Sequence, residues 1–284
     1  MFASFRVPVA WSQVMKRTVK DLVDDHCVGL AAQLAFYFLL ALFPALLFFV
    51  VLIGYLPIEN AVSELLAALA PVAPRELLDL LQGQLNQITE GSSVSLLTVG
   101  VLGALWSSSS AMVAIIDALN RAYNVPEWRS WWKRRLVAIV LTIALALFII
   151  VSLAFILIGP AMASSAAERL RLAPEVAYVW SLVRWPVMIF CVVLGMDLVY
   201  HFAPNRRGRW EWVTPGALLA TTLWILSSFA FKLYSSNFGH FAAKYGAIGG
   251  AIVTMLWFYV SSVAILIGAE MNGVIEDAWR SVDA

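Results

Sequence analysis

Apolar residues gather along this chain in six long runs, and charge collects in the short stretches between them. A helix needs about 20 mainly apolar residues to cross a bilayer's hydrocarbon layer. The runs at 29–56, 95–119, 136–159, 183–202, 213–234 and 247–268 reach that length. None shows the short, strictly alternating segments of a membrane barrel. The pattern predicts an all-α fold, a polytopic membrane helix bundle with six transmembrane helices, organised as a single integral membrane domain over 1–284. Ahead of the first run, residues 5–28 are amphipathic. Val14, Met15, Val19, Leu22 and Val23 share a stripe, with Lys16, Arg17 and Lys20 set between them. Two readings stand for this segment: a helix lying on the membrane surface, or a soluble helix tucked under the bundle. The segment 57–94 carries Leu65, Leu66, Leu69, Leu77, Leu78, Leu81, Leu85 and Ile88 at helical spacing, broken by Pro71 and Pro74. It predicts a short helical hairpin outside the membrane.

Composition removes the soluble alternative. Of 284 residues, 62% are hydrophobic and only 13% charged, against about 25% charged in a water-facing domain. Lipid must therefore cover much of the surface. The net charge of +1 carries none of the basic excess expected of a nucleic-acid partner. Cys27 and Cys191 stand far apart, and His26, His201 and His240 are scattered. No HExxH, GxSxG, CxxC or P-loop pattern occurs, so no metal, cofactor or catalytic residue is expected.

Lysine and arginine placement orients the bundle. Arg6, Lys16, Arg17 and Lys20, the segments 121–135 and 206–209, and Arg280 hold 13 of the 19 basic residues. The opposite side holds Arg75, Arg169, Arg171, Arg184, Lys232 and Lys244. The positive-inside rule places the first set, and both termini, in the cytoplasm.

Polar residues inside the runs are expensive, at about 2.5–3.5 kcal/mol for a charge near a helix centre. Ser107, Ser110, Asp117 and Arg121 share a face of the second run, with Asn120 beside it. Asp197 and His201 share a face of the fourth, and Glu270 follows the sixth. Asp117, Asn120, Arg121, Asp197, His201 and Glu270 are thus candidates for a polar network at the inner end. A salt-bridge girdle around Arg121 is favoured over a proton relay. Thr221, Ser228, Lys232 and Ser235 line the polar side of the fifth run. Arg184, Lys232 and Lys244, with Ser107 and Ser110, are candidates for holding an anionic headgroup. Against this, lysines snorkel to headgroups, and serines pack helices while bonding their own preceding carbonyls. Pro44 interrupts the first run and predicts a kink.

The segments AAQLAFYFLLALFPALL (31–47), LWSSSSAMVAIIDALNRAYNV (105–125) and FGHFAAKYGAIGGAIVTMLWFYVSSVAILIGAEMN (238–272) resemble the YihY/BrkB family of bacterial inner-membrane proteins. The resemblance runs from the first span to Asn272, with the motifs in order. It marks Gln33, Tyr37, Pro44, Trp106, Ser109, Asn120, Arg121, Tyr123, Tyr245, Gly246, Gly268, Glu270 and Asn272 as motif positions. It supplies no established catalytic residue, and it does not support as an activity the ribonuclease BN label once given to some members. It implies the bacterial inner membrane and a role in transport, including movement of lipids or lipid precursors. The expected function is accordingly a non-enzymatic transporter or lipid translocator for an anionic amphiphile, with membrane lipids as partners. The alternative is an envelope-assembly factor that binds a partner protein, or another copy of itself, through the outer hairpin.

Overall fold

The computed structural model describes residues 7–55, 94–169, 175–206, 210–238 and 240–283, with isolated positions at 70, 75, 78, 79 and 82. Within the helices, the side chains of 43–55, 94–102, 104, 153–181, 184 and 235–248 lie outside that description. The expected hairpin at 57–94 lies outside the described residues, as do the side chains of Pro44, Arg184, Ser235 and Lys244.

Seven helices are described: α1 (Trp11–Asp24), α2 (Cys27–Tyr55), α3 (Val94–Ala122), α4 (Trp131–Arg169), α5 (Glu175–Phe202), α6 (Pro215–Phe238) and α7 (His240–Asp283). Segments Trp131–Ser152, Trp185–Phe202, Pro215–Tyr234 and Gly249–Val282 are each long and apolar enough to cross a membrane. The pair Trp11–Asp24 and Cys27–Leu42, bent by 68°, passes the same test jointly. Four to five spans are therefore found among the described residues, where the sequence predicts six. The remaining run, 95–119, lies in α3, whose described side chains begin at Gly103. The chain is a helical membrane protein.

The helices overrun their apolar cores. The sequence predicts 247–268 for the last span, yet α7 runs 44 residues, about 66 Å at a rise of about 1.5 Å per residue. Nothing between Gly268 and Asp283 breaks it, because the apolar positions Met271, Val274, Ile275 and Ala278 are buried and keep helical spacing. Met271, Val274 and Ile275 form a small core with Val14 of α1. The N-terminal helix and the C-terminal end of α7 thus meet at one end of the bundle, called here the basal end.

Packing in the spans relies on small residues, as expected where lipid leaves no hydrophobic drive between helices. Cys27, Ala31 and Leu34 of α2 pack with Ala114 and Ala118 of α3 and Leu266 of α7. The closest approach is between α6 and α7. A Cβ added at Gly216 would collide with the carbonyl oxygen of Gly268, and one at Gly268 with that of Gly216. Only glycine allows these backbones to touch. Leu136, Val140, Ile143, Leu147 and Val151 of α4 are exposed in a row, the face such a helix turns to lipid.

Candidate functional site: a polar clamp at the basal end

The ends of α3, α5, α6 and α7 and two loops converge at the basal end, and several of these ends are shaped by their local sequence. Helix α3 stops in a Schellman turn. Asn124 adopts φ 52°, Val125 N–H donates to Asn120 O at 2.9 Å and Asn124 N–H to Arg121 O at 2.9 Å. Asparagine tolerates the left-handed conformation, and Pro126 two residues on forbids further helix. This turn carries Glu127 back under the bundle. Oε1 of Glu127 accepts from the Arg129 backbone N–H at 2.9 Å and from Nε at 2.8 Å. Oε2 accepts from Arg129 Nη2 at 2.8 Å and from Asn120 Nδ2 at 2.8 Å. Burial pushes the Glu127 carboxyl up, but these donors from Arg129 and Asn120 outweigh it and hold the group below its ordinary range.

The α3–α4 loop is tied to the α5–α6 loop. Arg129 Nη2 donates to Ala203 O at 3.0 Å. The backbone N–H of Asn205 donates to Asn120 Oδ1 at 2.6 Å, and Asn205 Nδ2 to Pro126 O at 3.1 Å. Arg206 lies over the Tyr123 ring at 4.1 Å, pairs with Glu276 of α7, and donates to Tyr200 O at the end of α5. Glu276 also receives Arg280 Nη2 at 2.8 Å.

Helix α6 begins with the opposite chemistry. Thr214 caps it, its hydroxyl oxygen accepting the Ala217 N–H at 3.2 Å, and Pro215 takes the first helical position, where no N–H is needed. Gly216 N–H donates to Asn272 Oδ1 at 2.8 Å, and Asn272 Nδ2 donates to Thr214 Oγ1 at 2.9 Å. Asp197 completes the arrangement, accepting the Thr214 hydroxyl at 2.5 Å and its N–H at 3.2 Å. Its carboxyl faces a helix N-terminus, where the peptide dipoles favour an acceptor. Buried Asp197 thus acts structurally, by holding the start of α6. Tyr200, one turn on, donates its hydroxyl to Ile265 O at 2.6 Å and ties α5 to α7.

The sequence-predicted network is only partly one network. Asn120 and Asp197 sit inside the clamp. Asp117 does not pair with Arg121: its partner is Arg134 at 2.8 Å, from the first turn of α4, because the α3–α4 turn folds that helix back along α3. Arg121 is exposed and donates to the Asp25 carbonyl at 3.4 Å. Glu270 is buried and accepts the Cys27 thiol at 3.1 Å. Among the described residues neither Glu270 nor Asp197 has a salt bridge, so no girdle forms around Arg121. His201 shares a face with Asp197 but joins an aromatic group, 4.7 Å from the Phe202 ring and 5.0 Å from that of Trp210. Asp117, Asn120, Arg121, Asn124, Val125, Pro126 and Glu127 line a cavity of about 400 Å³ at this end.

The headgroup candidates are dispersed. Ser107 Oγ donates to Leu40 O at 3.5 Å, Ser110 Oγ to Trp106 O at 3.0 Å. Ser110 also accepts Arg135 Nη1 at 3.1 Å, and that guanidinium lies 3.9 Å from the Trp106 ring centre. These serines serve the contacts of α3 with α2 and α4, and none of their hydrogen bonds reaches α6. Lys232 donates to Ala70 O at 2.9 Å. Thr221 and Ser228 of α6 are buried, as are Thr254, Ser261 and Ser262 of α7. Trp257 Nε1 donates to Ser228 Oγ at 3.2 Å, and the hydroxyls of Thr221 and Thr254 have no partner among the described residues. No group of three or more metal-ligating side chains occurs among the described residues.

The clamp lies within the stretch over which the chain resembles other proteins. The sequence profile described as "Virulence factor BrkB" matches residues 18–283, nearly the full length, with the whole basal clamp inside the match. The chain belongs to the BrkB family. A ribonuclease-like protein, YfkH, of Bacillus subtilis is 37% identical over 245 residues, covering 86% of this chain and 88% of its own. UPF0761 membrane proteins of Idiomarina loihiensis and Aeromonas salmonicida are 28% and 29% identical, over 77% and 91% of this chain and 73% and 87% of theirs. No solved structure matches the chain.

Several BrkB clamp residues leave little mark in the sequence pattern: Glu127, Arg129, Asn205, Arg206, Thr214 and Glu276. Two signals point to some of them. Asn-Val-Pro after a helical run marks a stop, and Thr-Pro-Gly before one marks a start. The pairings themselves join residues up to 85 positions apart and leave no local trace.

Proposed function

We propose that this BrkB protein is a non-enzymatic transporter of the bacterial inner membrane that moves an anionic amphiphile along the α6–α7 interface, with the basal end in the cytoplasm. The observation that carries this reading is the pair of buried hydroxyls of Thr221 and Thr254, without partners among the described residues. A buried hydroxyl without a partner costs about 1–3 kcal/mol, so packing alone gives no reason to keep two. Together with Ser228 they form a polar seam in a lipid-embedded interface. Lys232, further along α6, supplies a cation for a headgroup. At the basal end the touching backbones of Gly216 and Gly268 close the seam, which corresponds to a state shut on that side. A headgroup would travel the seam while its acyl chains stay in lipid.

Thr221→Val and Thr254→Val keep the shape and remove only the hydroxyl. In proteoliposomes carrying a fluorescent phosphatidylglycerol, the double variant should fold at least as stably as the parent but move lipid several-fold more slowly. Lipid movement at the parent rate would sink the proposal.

A further inference from the structure

We propose that α1 is a lipid-reading surface: its outer face lies in the bilayer leaflet at the basal end and selects anionic headgroups. Helix α1 has two apolar faces, and the bundle uses only one. Val14 and Thr18 are buried, with Val14 against Met271, Val274 and Ile275 of α7. Trp11, Met15, Val19 and Val23 recur at every fourth residue on a second stripe, and they are exposed at 43%, 45%, 59% and 69%. At about 100° per residue this stripe is centred about a third of a turn away from the buried one.

Three observations commit the stripe to lipid rather than to a protein. Helix α1 is bent 68° from α2, which continues towards the membrane interior, with two residues between them. That angle lays α1 nearly along the plane of the membrane surface, at the depth where the first span enters it. His26 in the left-handed region, φ 54°, makes the bend. Charge is also ordered around the helix. Lys16 and Lys20 border the exposed stripe, where their stems can lie along lipid and their ammonium groups reach phosphates. Asp21 and Asp24 sit on the far side with Arg17, turned to water, and Lys20 reaches Asp24 only at 3.9 Å with both side chains largely exposed. Finally, the basal end already carries exposed Trp128, Trp131 and Trp132, residues that favour the headgroup layer. Because α1 rests on Met271, Val274 and Ile275 of α7, on either side of the clamp residue Asn272, its seating on lipid bears directly on the clamp.

The test uses the full chain with Cys27→Ser and Cys191→Ala, and single cysteines placed at Gln13, Met15, Arg17, Val19, Val23 or Asp24. Each is labelled with a nitroxide and reconstituted in phosphatidylcholine vesicles with or without phosphatidylglycerol. Labels at 15, 19 and 23 should relax faster with oxygen than with a water-soluble nickel chelate, and labels at 13, 17 and 24 the reverse. Phosphatidylglycerol should deepen the first set, and Lys16→Gln or Lys20→Gln should each lower the ratio of seated to unseated helix about fivefold, the factor for about 1 kcal/mol per basic residue at an anionic surface. Equal nickel access at all six sites would overturn the proposal. So would dipolar broadening at 15, 19 and 23 without oxygen access, which would assign the stripe to a second copy of the chain. The readout needs no lipid movement, so it stands or falls apart from the transport reading.

Discussion

Removing the Glu127 carboxylate should unpin the basal clamp, and the loss can be worked from its contacts. Glu127→Ala deletes four hydrogen bonds of 2.8–2.9 Å, three from Arg129 and one from Asn120. Arg129 is then left with the Ala203 carbonyl at 3.0 Å while its side chain stays only 16% exposed. Breaking a fully buried pair costs about 3–5 kcal/mol; residual solvent contact on both partners argues for the lower end, about 3 kcal/mol. Arg129→Ala should cost a similar amount, because it leaves Glu127 with Asn120 alone. Since both variants destroy the same fork, the double variant should cost about 4 kcal/mol rather than the sum of about 6, giving a coupling of about 2 kcal/mol. Reversible unfolding by dodecyl sulfate in mixed micelles measures each corner of the cycle. Single-variant losses that add within about 0.5 kcal/mol would refute the clamp as a cooperative unit.

Three further outcomes are expected. Gly268→Ala and Gly216→Ala should each prevent a folded bundle or destabilise it by more than about 3 kcal/mol, whereas Gly29→Ala, where a Cβ meets nothing within 4 Å, should be tolerated; equal monodispersity on size exclusion would contradict the backbone contact. Glu127 is held below its usual value near 4.5, so its contribution is fully present above that value and lost as the pH falls through the lower folded value; the stability gap between parent and Glu127→Gln should stay flat from about pH 7 to about pH 5 and narrow only in stronger acid. Asp197→Asn should weaken the Thr214 cap and cost about 1–2 kcal/mol in the same unfolding assay, and a loss too small to measure would deny Asp197 its part in holding α6.

Four to five of the six predicted spans were readable, because lipid enforces one simple rule, a long apolar run. Their ends were not. Helix α7 continues past Gly268 since Met271, Val274 and Ile275 find an apolar partner in Val14, a residue some 260 positions earlier. The membrane rule cannot see a helix that leaves lipid and is then covered by protein. The site was legible as residue types and illegible as pairs. A carboxylate in a span, Asp197 or Asp117, is conspicuous by its cost, but its partner is chosen by how helices return. Arg121 stands one turn from Asp117 and so looked like its neutraliser. Arg134 wins because the α3 stop at Asn124 folds the next helix back alongside. For α1, sequence left the surface helix and the tucked helix as rivals, while the structure buries Val14 against α7 and leaves Trp11, Met15, Val19 and Val23 exposed.

The basal clamp and the contacts beside it close with residues 270–276, and that fixes a timetable. Glu270 waits for Cys27, Asn272 for Thr214 and Gly216, Glu276 for Arg206, and Met271 for Val14. A chain is made from its N-terminus and its parts fold as they emerge, but here every one of these early partners depends on a segment made only after the predicted spans. During synthesis the membrane holds helices whose ends have no lock. A stop codon or a bulky insertion placed near Asn272 therefore acts as a deletion of the closing step, and the nascent protein stays exposed to quality-control proteases until residues 270–276 have been made and can lock.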